Sequence, residues 1–267
     1  MYDTHVHTTF SPDGKSTMEE YIKLIEKGQI EGIGFAEHLE FLPECGAYKF
    51  LDYNSYISEI KRYEQEGFKI YAGAEVDYVR DIETEILEEL QIKSFDYTIC
   101  SVHMVKGSAV SDKKDVSRYE DINTFSDVLD IYYNEISSSL KVKEFDVIGH
   151  VGIYKRYLSP DFFEDHILAD KIEELDNEAA RLCALSGKIL EINSSGLFFE
   201  SASPLPDFKF LKKYYDYGGR IVSVGSDAHN VLHTARGFNI VFEMLSEIGI
   251  KYIYLPWDVE NPIKIGK

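Results

Sequence analysis

Short apolar runs recur along the chain and alternate with longer stretches that have helical periodicity. The runs are rich in β-branched and aromatic residues, which favour strands. They lie at about residues 2–6, 32–36, 69–76, 97–102, 147–151, 189–193 and 221–224. This alternation is typical of parallel strands joined by crossover helices. Seven such units predict a barrel or a barrel-like sheet, and a late run, Tyr252–Leu255, is either an eighth strand or an external one.

Polar residues and glycines mark several helix boundaries. A capping box begins at Thr17, and Asn54 and Thr124 are predicted to cap two further helices. Residues 166–186 form a long amphipathic segment that ends at Gly187. Because no linker, low-complexity stretch or repeat divides the chain, residues 1–267 are predicted to form a single domain.

The amino-acid composition limits the classes of partner that the protein is expected to bind. The formal net charge of −19 repels a polyanion, which argues against nucleic-acid binding. A small anionic substrate is compatible with this charge, because bound divalent metals reverse the potential locally. No apolar run approaches the roughly 20 residues of a membrane helix, and no signal peptide precedes the motif at Asp3, so we expect a cytoplasmic protein without a membrane partner. The oligomeric state is left open.

Residues of metal-ligand type fall at or just beyond the carboxyl ends of the predicted strands. They are His5, His7, His38, Glu75, His103, His150, Asp227 and His229. In parallel barrels the site forms at this face, so residues distant in sequence are expected to converge there.

Spacing gives some of these residues a more specific interpretation. His5 and His7 are two apart in a strand and point to the same side, although such a pair also fits ordinary surface or core histidines. Asp227 and His229 repeat the spacing. Burying Glu75 in its apolar strand requires a strong partner, either a cation or a buried basic side chain. Metal is favoured, because imidazoles surround it in the predicted fold.

The order of short motifs along the chain resembles that of the polymerase and histidinol phosphatase (PHP) family. The motifs are Asp3-Thr4-His5-Val6-His7-Thr8, Phe10-Ser11-Pro12-Asp13-Gly14, Glu37-His38, Gly73-Ala74-Glu75-Val76-Asp77, Ser101-Val102-His103, Gly149-His150, Glu191-Ile192-Asn193-Ser194-Ser195-Gly196 and Gly225-Ser226-Asp227-Ala228-His229. Several of them are most similar to those of free-standing histidinol-phosphate phosphatases.

This resemblance implies a distorted (β/α)7 TIM-like barrel with three divalent metal ions, Zn, Mn or Fe, at its carboxyl face. The implied ligand sets are His5, His7, Glu75 and Asp227; Glu75, His103 and His150; and Asp13, His38 and His229. The sequence departs from the family at Asp13, where some members carry a histidine, and a turn role is the alternative for this residue. It also departs at Gly152, where relatives often carry an acid.

The implied activity is hydrolysis of L-histidinol phosphate by a hydroxide held between the metals. Arg156 is the candidate phosphate ligand, with a surface charge as the alternative. The candidate general acid is either His229, which is also a candidate metal ligand, or a water molecule. Asp227 is the third candidate catalytic residue, beside Arg156 and His229.

Further substrate contacts are predicted for His233, Asn193, Ser194 and Arg118. Surface, turn and loop roles are the alternatives for these four residues. An acidic side chain such as Asp77 or Glu40 is considered for the substrate amine. Two competing functions stay open: another phosphoesterase on the same scaffold, that is a phosphodiesterase, nuclease or protein-tyrosine phosphatase, or a non-catalytic metal-binding interaction domain.

Overall fold

Seven parallel strands form the main sheet of the computed structural model, which describes residues 1–116, 121–158 and 167–266. In spatial order they are β1 (Tyr2–Val6), β2 (Gly32–Leu39), β3 (Ile70–Asp77), β4 (Tyr97–Ser101), β7 (Val147–Ile148), β8 (Ile189–Asn193) and β9 (Val222–Gly225). Each strand pairs with its successor in the order of the chain, as expected when every crossover has the same hand.

The first and last strands of this sheet approach each other at their carboxyl ends. The His7 backbone N–H donates to the Ala228 carbonyl at 2.9 Å, and the Asp227 N–H donates to the His5 carbonyl at 2.8 Å. The Thr4 hydroxyl also donates to the Val224 carbonyl at 3.1 Å. The sheet is therefore nearly closed, and the predicted distorted (β/α)7 barrel is confirmed.

Helices surround the barrel. They are α1 (Met18–Glu26), α2 (Tyr53–Gln65), α3 (Glu83–Ile92), α4 (Lys113–Val116), α5 (Ile122–Ser139), α6 (Ala169–Ser186), α7 (Phe208–Asp216) and α8 (Phe238–Ile248). Gly187 ends α6 in the left-handed conformation with φ 76°, as predicted.

Two predicted caps are wrong by two or three residues. The Asp52 carboxylate, not Asn54, caps α2 by accepting from the Ser55 N–H at 3.2 Å. The Asp121 carboxylate, not Thr124, caps α5 and accepts from the Thr124 N–H at 3.1 Å. Several residues near each boundary have suitable side chains, and only the backbone shows which one precedes the first turn.

Alternation along the strands separates the apolar core from the barrel interior. Leu190 and Ile192 of β8 pack in the large apolar cluster beneath the helices. Glu191, between them, is fully buried and turns the other way, into the interior. Gly225 of β9, which pairs with Asn193, lies next to this carboxylate, and its missing side chain leaves the space that the carboxylate occupies.

The late apolar run Tyr252–Leu255 lies outside the barrel sheet. This strand, β10, pairs antiparallel with β11 (Asp258–Lys264) in a separate hairpin. Trp257, in the connecting turn, stacks on Tyr71 with ring centroids 4.0 Å apart. Tyr71 and Gly34, which both contact this indole, lie near the amino ends of their strands. The hairpin thus covers the end of the barrel opposite the predicted site.

Two short strands, β5 (Met104–Val105) and β6 (Ser108–Ala109), form a ribbon just beyond β4. This ribbon follows His103 directly and lies on the predicted site face. Within the described ranges, no helix is long and apolar enough to span a bilayer.

Candidate metal centre

Five imidazoles surround the buried carboxylate of Glu75 at the carboxyl end of the barrel. A carboxylate oxygen of Glu75 lies 2.6 Å from His150 Nε2, 3.0 Å from His38 Nδ1, 3.3 Å from His103 Nε2, 3.4 Å from His7 Nε2 and 3.5 Å from His5 Nε2. These histidines come from the carboxyl ends of four strands, and β1 contributes both His5 and His7. The convergence that the strand-end positions predicted is therefore present in the structure.

The remaining predicted ligands extend the cluster on one side. Asp227 Oδ1 lies 3.4 Å from His7 Nε2, and the backbone of Asp227 is held at φ 54°. Non-glycine residues rarely adopt this conformation, which is concentrated at functional sites. Asp13 Oδ2 lies 3.0 Å from His229 Nε2, and Asp13 Oδ1 lies 3.5 Å from His38 Nε2. All nine predicted ligands thus lie in one connected group.

Hydrogen bonds at the outer nitrogens fix the tautomers of His5 and His7. His5 Nδ1 donates to Glu191 Oε1 at 2.6 Å. His7 Nδ1 lies 3.2 Å from Ser11 Oγ, which itself donates to the Glu37 carboxylate, so His7 is the donor. In the neutral rings both Nε2 atoms then carry lone pairs, and they face each other at 3.1 Å. Burial disfavours a charged His5, yet Glu191 and Glu75 raise its pKa well above its usual value, so either a proton or a cation between the two atoms relieves this repulsion.

His229 is arranged in the same way. Its Nδ1 lies 3.0 Å from the Asp227 carbonyl, which can only accept, so Nδ1 carries the proton. Nε2 then presents a lone pair to the Asp13 carboxylate. On the other side of the cluster, His38 Nδ1 is buried and has no hydrogen bond among the described residues, although it lies beside Glu75. This pattern of facing acceptors fits divalent cations bound to nitrogen and oxygen ligands.

The electrostatics of the cluster side chains agree with this donor set. Burial opposes ionisation of Glu75, but His103, His5 and His38 hold the pKa of this carboxyl well below its usual range. Burial also disfavours a charged His38, yet Glu75 and Asp13 raise its pKa to about 10. His7 shows the opposite shift, because burial and the charges of His229 and His38 lower its pKa to about 3. Protons thus compensate part of the negative charge that cations would otherwise balance.

Among the residues that the structure describes, four sets of side chains are close enough to hold an ion, with ligand atoms within 4.8 Å of one another. They are His5, His7 and Glu75; Glu75, His103 and His150; His7, His38 and His229; and His38, Glu40 and His103. The first two correspond to predicted sets, and the third shares His38 and His229 with the predicted one. Glu40 in the fourth was not among the predicted ligands.

Arg156 lies beside the cluster and lines its cavity, which has a volume of about 470 Å³. Its Nη2 donates to Asp227 Oδ2 at 2.7 Å and to Ser195 Oγ at 2.9 Å. Its Nε is buried without a hydrogen-bond partner among the described residues. An unpaired donor at the wall of a cavity is suited to an anionic ligand.

The other residues predicted to contact the substrate have less direct relations to the histidine cluster than Arg156. The amide oxygen of Asn193 accepts from Ser195 Oγ at 2.6 Å, and the Ser194 hydroxyl donates to the Arg236 carbonyl at 2.7 Å. His233 lies exposed on the turn Val231–His233. Arg118 lies outside the described residues. Substrate contact by these four residues stays a prediction.

The sequence identified only some of the residues that hydrogen-bond to the candidate ligands and orient them. Glu191 accepts from the His150 backbone N–H at 2.8 Å as well as from His5, so one carboxylate orients two parts of the cluster. Ser101 Oγ donates to Glu75 at 2.7 Å. The sequence signal for Glu191 is the same as for Glu75, an acid in an otherwise apolar strand.

A family model described as the PHP domain matches residues 3–195 of the chain. A protein of Thermotoga maritima named a probable histidinol-phosphatase is 28% identical over 255 residues, which cover 95% of this chain and 94% of that one. The histidinol-phosphatase of Bacillus subtilis is 26% identical over 73% of this chain and 81% of that one.

Two solved structures share the fold. A histidinol phosphate phosphatase from Lactococcus lactis, described as complexed with Zn, L-histidinol and phosphate, superposes with a TM-score of 0.80 at 22% identity and covers 100% of this chain and 98% of that one. A Listeria monocytogenes protein described as a putative histidinol phosphatase gives a TM-score of 0.73 at 19% identity over 90% and 99% of the two chains.

Proposed function

This chain belongs to the PHP domain family, and we propose that it is a metal-dependent phosphomonoesterase that hydrolyses L-histidinol phosphate to L-histidinol and phosphate. The observation that carries the proposal is the convergence of five imidazoles on Glu75, with the unpaired Nε of Arg156 on the same cavity. The names of the relatives that match almost the whole chain support this substrate.

Three ions would be held by the side chains already described. His5, His7, Glu75 and Asp227 would hold the first, Glu75, His103 and His150 the second, and Asp13, His38 and His229 the third. Divalent Zn, Mn or Fe would neutralise phosphoryl charge and make a bound water more acidic. The outer partners Glu191, Ser11 and Glu40 would keep the imidazoles in the tautomer that binds.

Arg156 positions the phosphate in this proposal. The salt bridge to Asp227 and the hydrogen bond from Nη2 to Ser195 fix one edge of the guanidinium, and Nε remains to donate to a phosphoryl oxygen. Asp227 therefore has two tasks, since its other oxygen lies beside His7 and His5. The salt bridge between Arg156 and Asp227 therefore fixes the position of the phosphate relative to the side chains of the cluster.

Hydrolysis adds the oxygen of one water to phosphorus, breaks the bond to the alcohol oxygen, and returns one proton to that oxygen. His229 lies on the cavity, but its Nδ1 is held by the Asp227 carbonyl and its Nε2 faces the third ion site, so we propose that a water molecule beside His229 supplies this proton. We further propose that the protein acts in the cytoplasm on small phosphorylated substrates and not on nucleic acids, in agreement with the net charge of −19.

A substrate panel tests the proposal. The protein loaded with Zn²⁺ or Mn²⁺ is assayed with L-histidinol phosphate, phosphotyrosine, a phosphodiester and single-stranded DNA. We expect the highest kcat/KM for L-histidinol phosphate, and metal analysis should give more than one ion per chain. A preference for another substrate refutes the assigned reaction, and one ion or none refutes the cluster.

A further inference from the structure

The cavity beside the histidine cluster continues along segments that hold no predicted ligand. Besides cluster residues and Arg156, its lining includes Cys45, Gly46, Ala47, Met104, Ala109, Ser111 and the acids Glu40 and Asp112. These segments are the loop after β2 and the ribbon after β4. Glu40 is the buried acid of this part, only 4% exposed, whereas Asp112 is exposed.

The two oxygens of Glu40 have different surroundings. Oε1 lies 3.4 Å from His103 Nδ1 and 3.7 Å from His38 Nδ1, so it faces the cluster. Oε2 is buried and has no hydrogen-bond partner among the described residues. A buried carboxylate oxygen without a donor is energetically costly, and such oxygens are normally satisfied by a ligand, an ion or water.

We infer that Glu40 binds the ammonium group of the substrate, so that the enzyme selects phosphate monoesters of amino alcohols. This inference rests on the proposed function and names the group that the site recognises. With the phosphate at the cluster and Arg156, the alcohol portion extends past His103 to Glu40. A protonated amine supplies the donor and the positive charge that Oε2 lacks. Ala47 and Met104 contact the carbon skeleton.

A conservative substitution tests this assignment. Glu40→Gln keeps an acceptor for His103 but removes the negative charge. The metal-loaded wild type and variant are compared with L-histidinol phosphate and with its analogue lacking the amine, 3-(imidazol-4-yl)propyl phosphate. We expect the ratio of the two kcat/KM values to fall about 10- to 100-fold in the variant, mainly through KM for the amine substrate.

Glu44→Gln is the matched control, since it makes the same chemical change at an exposed position of the same loop. Its ratio should equal that of the wild type. If Glu40→Gln lowers both kcat/KM values equally, Glu40 acts only by orienting His103, and the inference is wrong. If the variant binds fewer ions, Glu40 is a metal ligand in the set with His38 and His103, which also overturns it.

A measurement on the wild type covers the case in which the variant does not fold. L-Histidinol and 3-(imidazol-4-yl)propanol are compared as competitive inhibitors of phenyl phosphate hydrolysis. We expect the amino alcohol to bind about tenfold more tightly or better; equal inhibition refutes the role of the amine. A wild type that does not hydrolyse L-histidinol phosphate would instead refute the proposed function itself.

Discussion

Glu191 and Gly225 show how single residues determine the geometry of the cluster. The Glu191 carboxylate holds His5 through its ring and His150 through its backbone. It fits only because Gly225 has no side chain, since a Cβ there would lie 2.5 Å from both Glu191 Oε1 and His5 Cβ. The arrangement of the predicted metal ligands therefore depends on Gly225, which has no side chain of its own to bind an ion.

Gly225→Ala should destabilise the protein and loosen the cluster. The added methyl group must displace a fully buried carboxylate or the His5 backbone, which costs about 1–3 kcal/mol. We expect the melting temperature to fall by roughly 2–4 °C per kcal/mol, together with reduced metal content. Gly46→Ala is the control for stability, because nothing lies within 4 Å of its Cβ position. An unchanged melting temperature in both variants would contradict the packing described.

Arg156→Lys should weaken phosphate binding while leaving metal content intact. Lysine keeps the charge but cannot contact Asp227 and the phosphate with separate nitrogens of a planar group. We expect kcat/KM for L-histidinol phosphate to fall roughly 10- to 100-fold, which corresponds to about 1.5–3 kcal/mol for a hydrogen bond to a charged group. Arg220→Lys, at an exposed site, should have no effect. Unchanged kinetics in Arg156→Lys would remove this residue from the site.

At the scale of single residues, the sequence predicted the metal-ligand residues better than the residues that orient them. The spacing of His5 and His7 in a strand is enough to place both rings on one side, because strand geometry is regular. The orientation of each ring depends on contacts such as that between His5 and Glu191, which are 186 positions apart in the sequence. No local pattern carries that information.

At the scale of elements, a buried ionic network joins the loop after β7 to two helices. Lys155 Nζ lies 2.7 Å from Asp176 of α6 and 2.8 Å from Asp207, which caps α7. Tyr133 of α5 donates to Asp176 as well. Because Lys155 precedes Arg156, the network also fixes the loop that carries the phosphate ligand.

Lys155→Met should destabilise the fold by about 3–5 kcal/mol at neutral pH, because it leaves the buried Asp176 and the half-buried Asp207 without their cation. Burial raises the pKa of Asp207, but Lys155 holds it below its usual value. The contribution of Asp207 is therefore present above pH 3.8 and is lost as the pH falls further. Denaturant titrations should show the difference between wild type and variant shrinking towards acidic pH.

Lys171→Met is the matched control for this prediction. Lys171 pairs with Asp130 at 2.7 Å, but both side chains are partly exposed, so the change should cost about 0–1 kcal/mol. Equal destabilisation by the two substitutions would contradict the buried network.

The elements themselves were predicted well where the pattern was long and regular. Alternation of apolar runs and helical stretches identified the seven strands, since each strand is bounded by turns and buried on both sides. The caps at Asp52 and Asp121 were missed, because neighbouring polar residues such as Asn54 and Thr124 satisfy the same preference. The choice between an eighth strand and an external hairpin required tertiary contacts.

For the molecule as a whole, the cluster joins residues from 5 to 229 and so links folding to metal binding. Removing the ions should lower stability, because repelling ligand atoms would then be balanced only by protons. Free metal at 100 times its dissociation constant is expected to stabilise the protein by about 2.7 kcal/mol per site.

Calorimetry with and without a chelator checks this expectation. The melting temperature should fall on chelation and recover when Zn²⁺ is added in excess. The difference should decrease as the pH falls, since protons compete for the same imidazole and carboxylate atoms. Identical melting curves with and without metal would show that these side chains bind no ion.

The hairpin at the opposite end of the barrel carries the single tryptophan of the chain, Trp257. Its indole is partly buried, stacks on Tyr71 and lies against Gly34, so this environment persists only while the first strands stay aligned. The protein therefore contains one built-in fluorophore, remote from the chemistry. Its emission separates loss of the barrel's architecture from loss of metal, which an activity assay alone cannot distinguish.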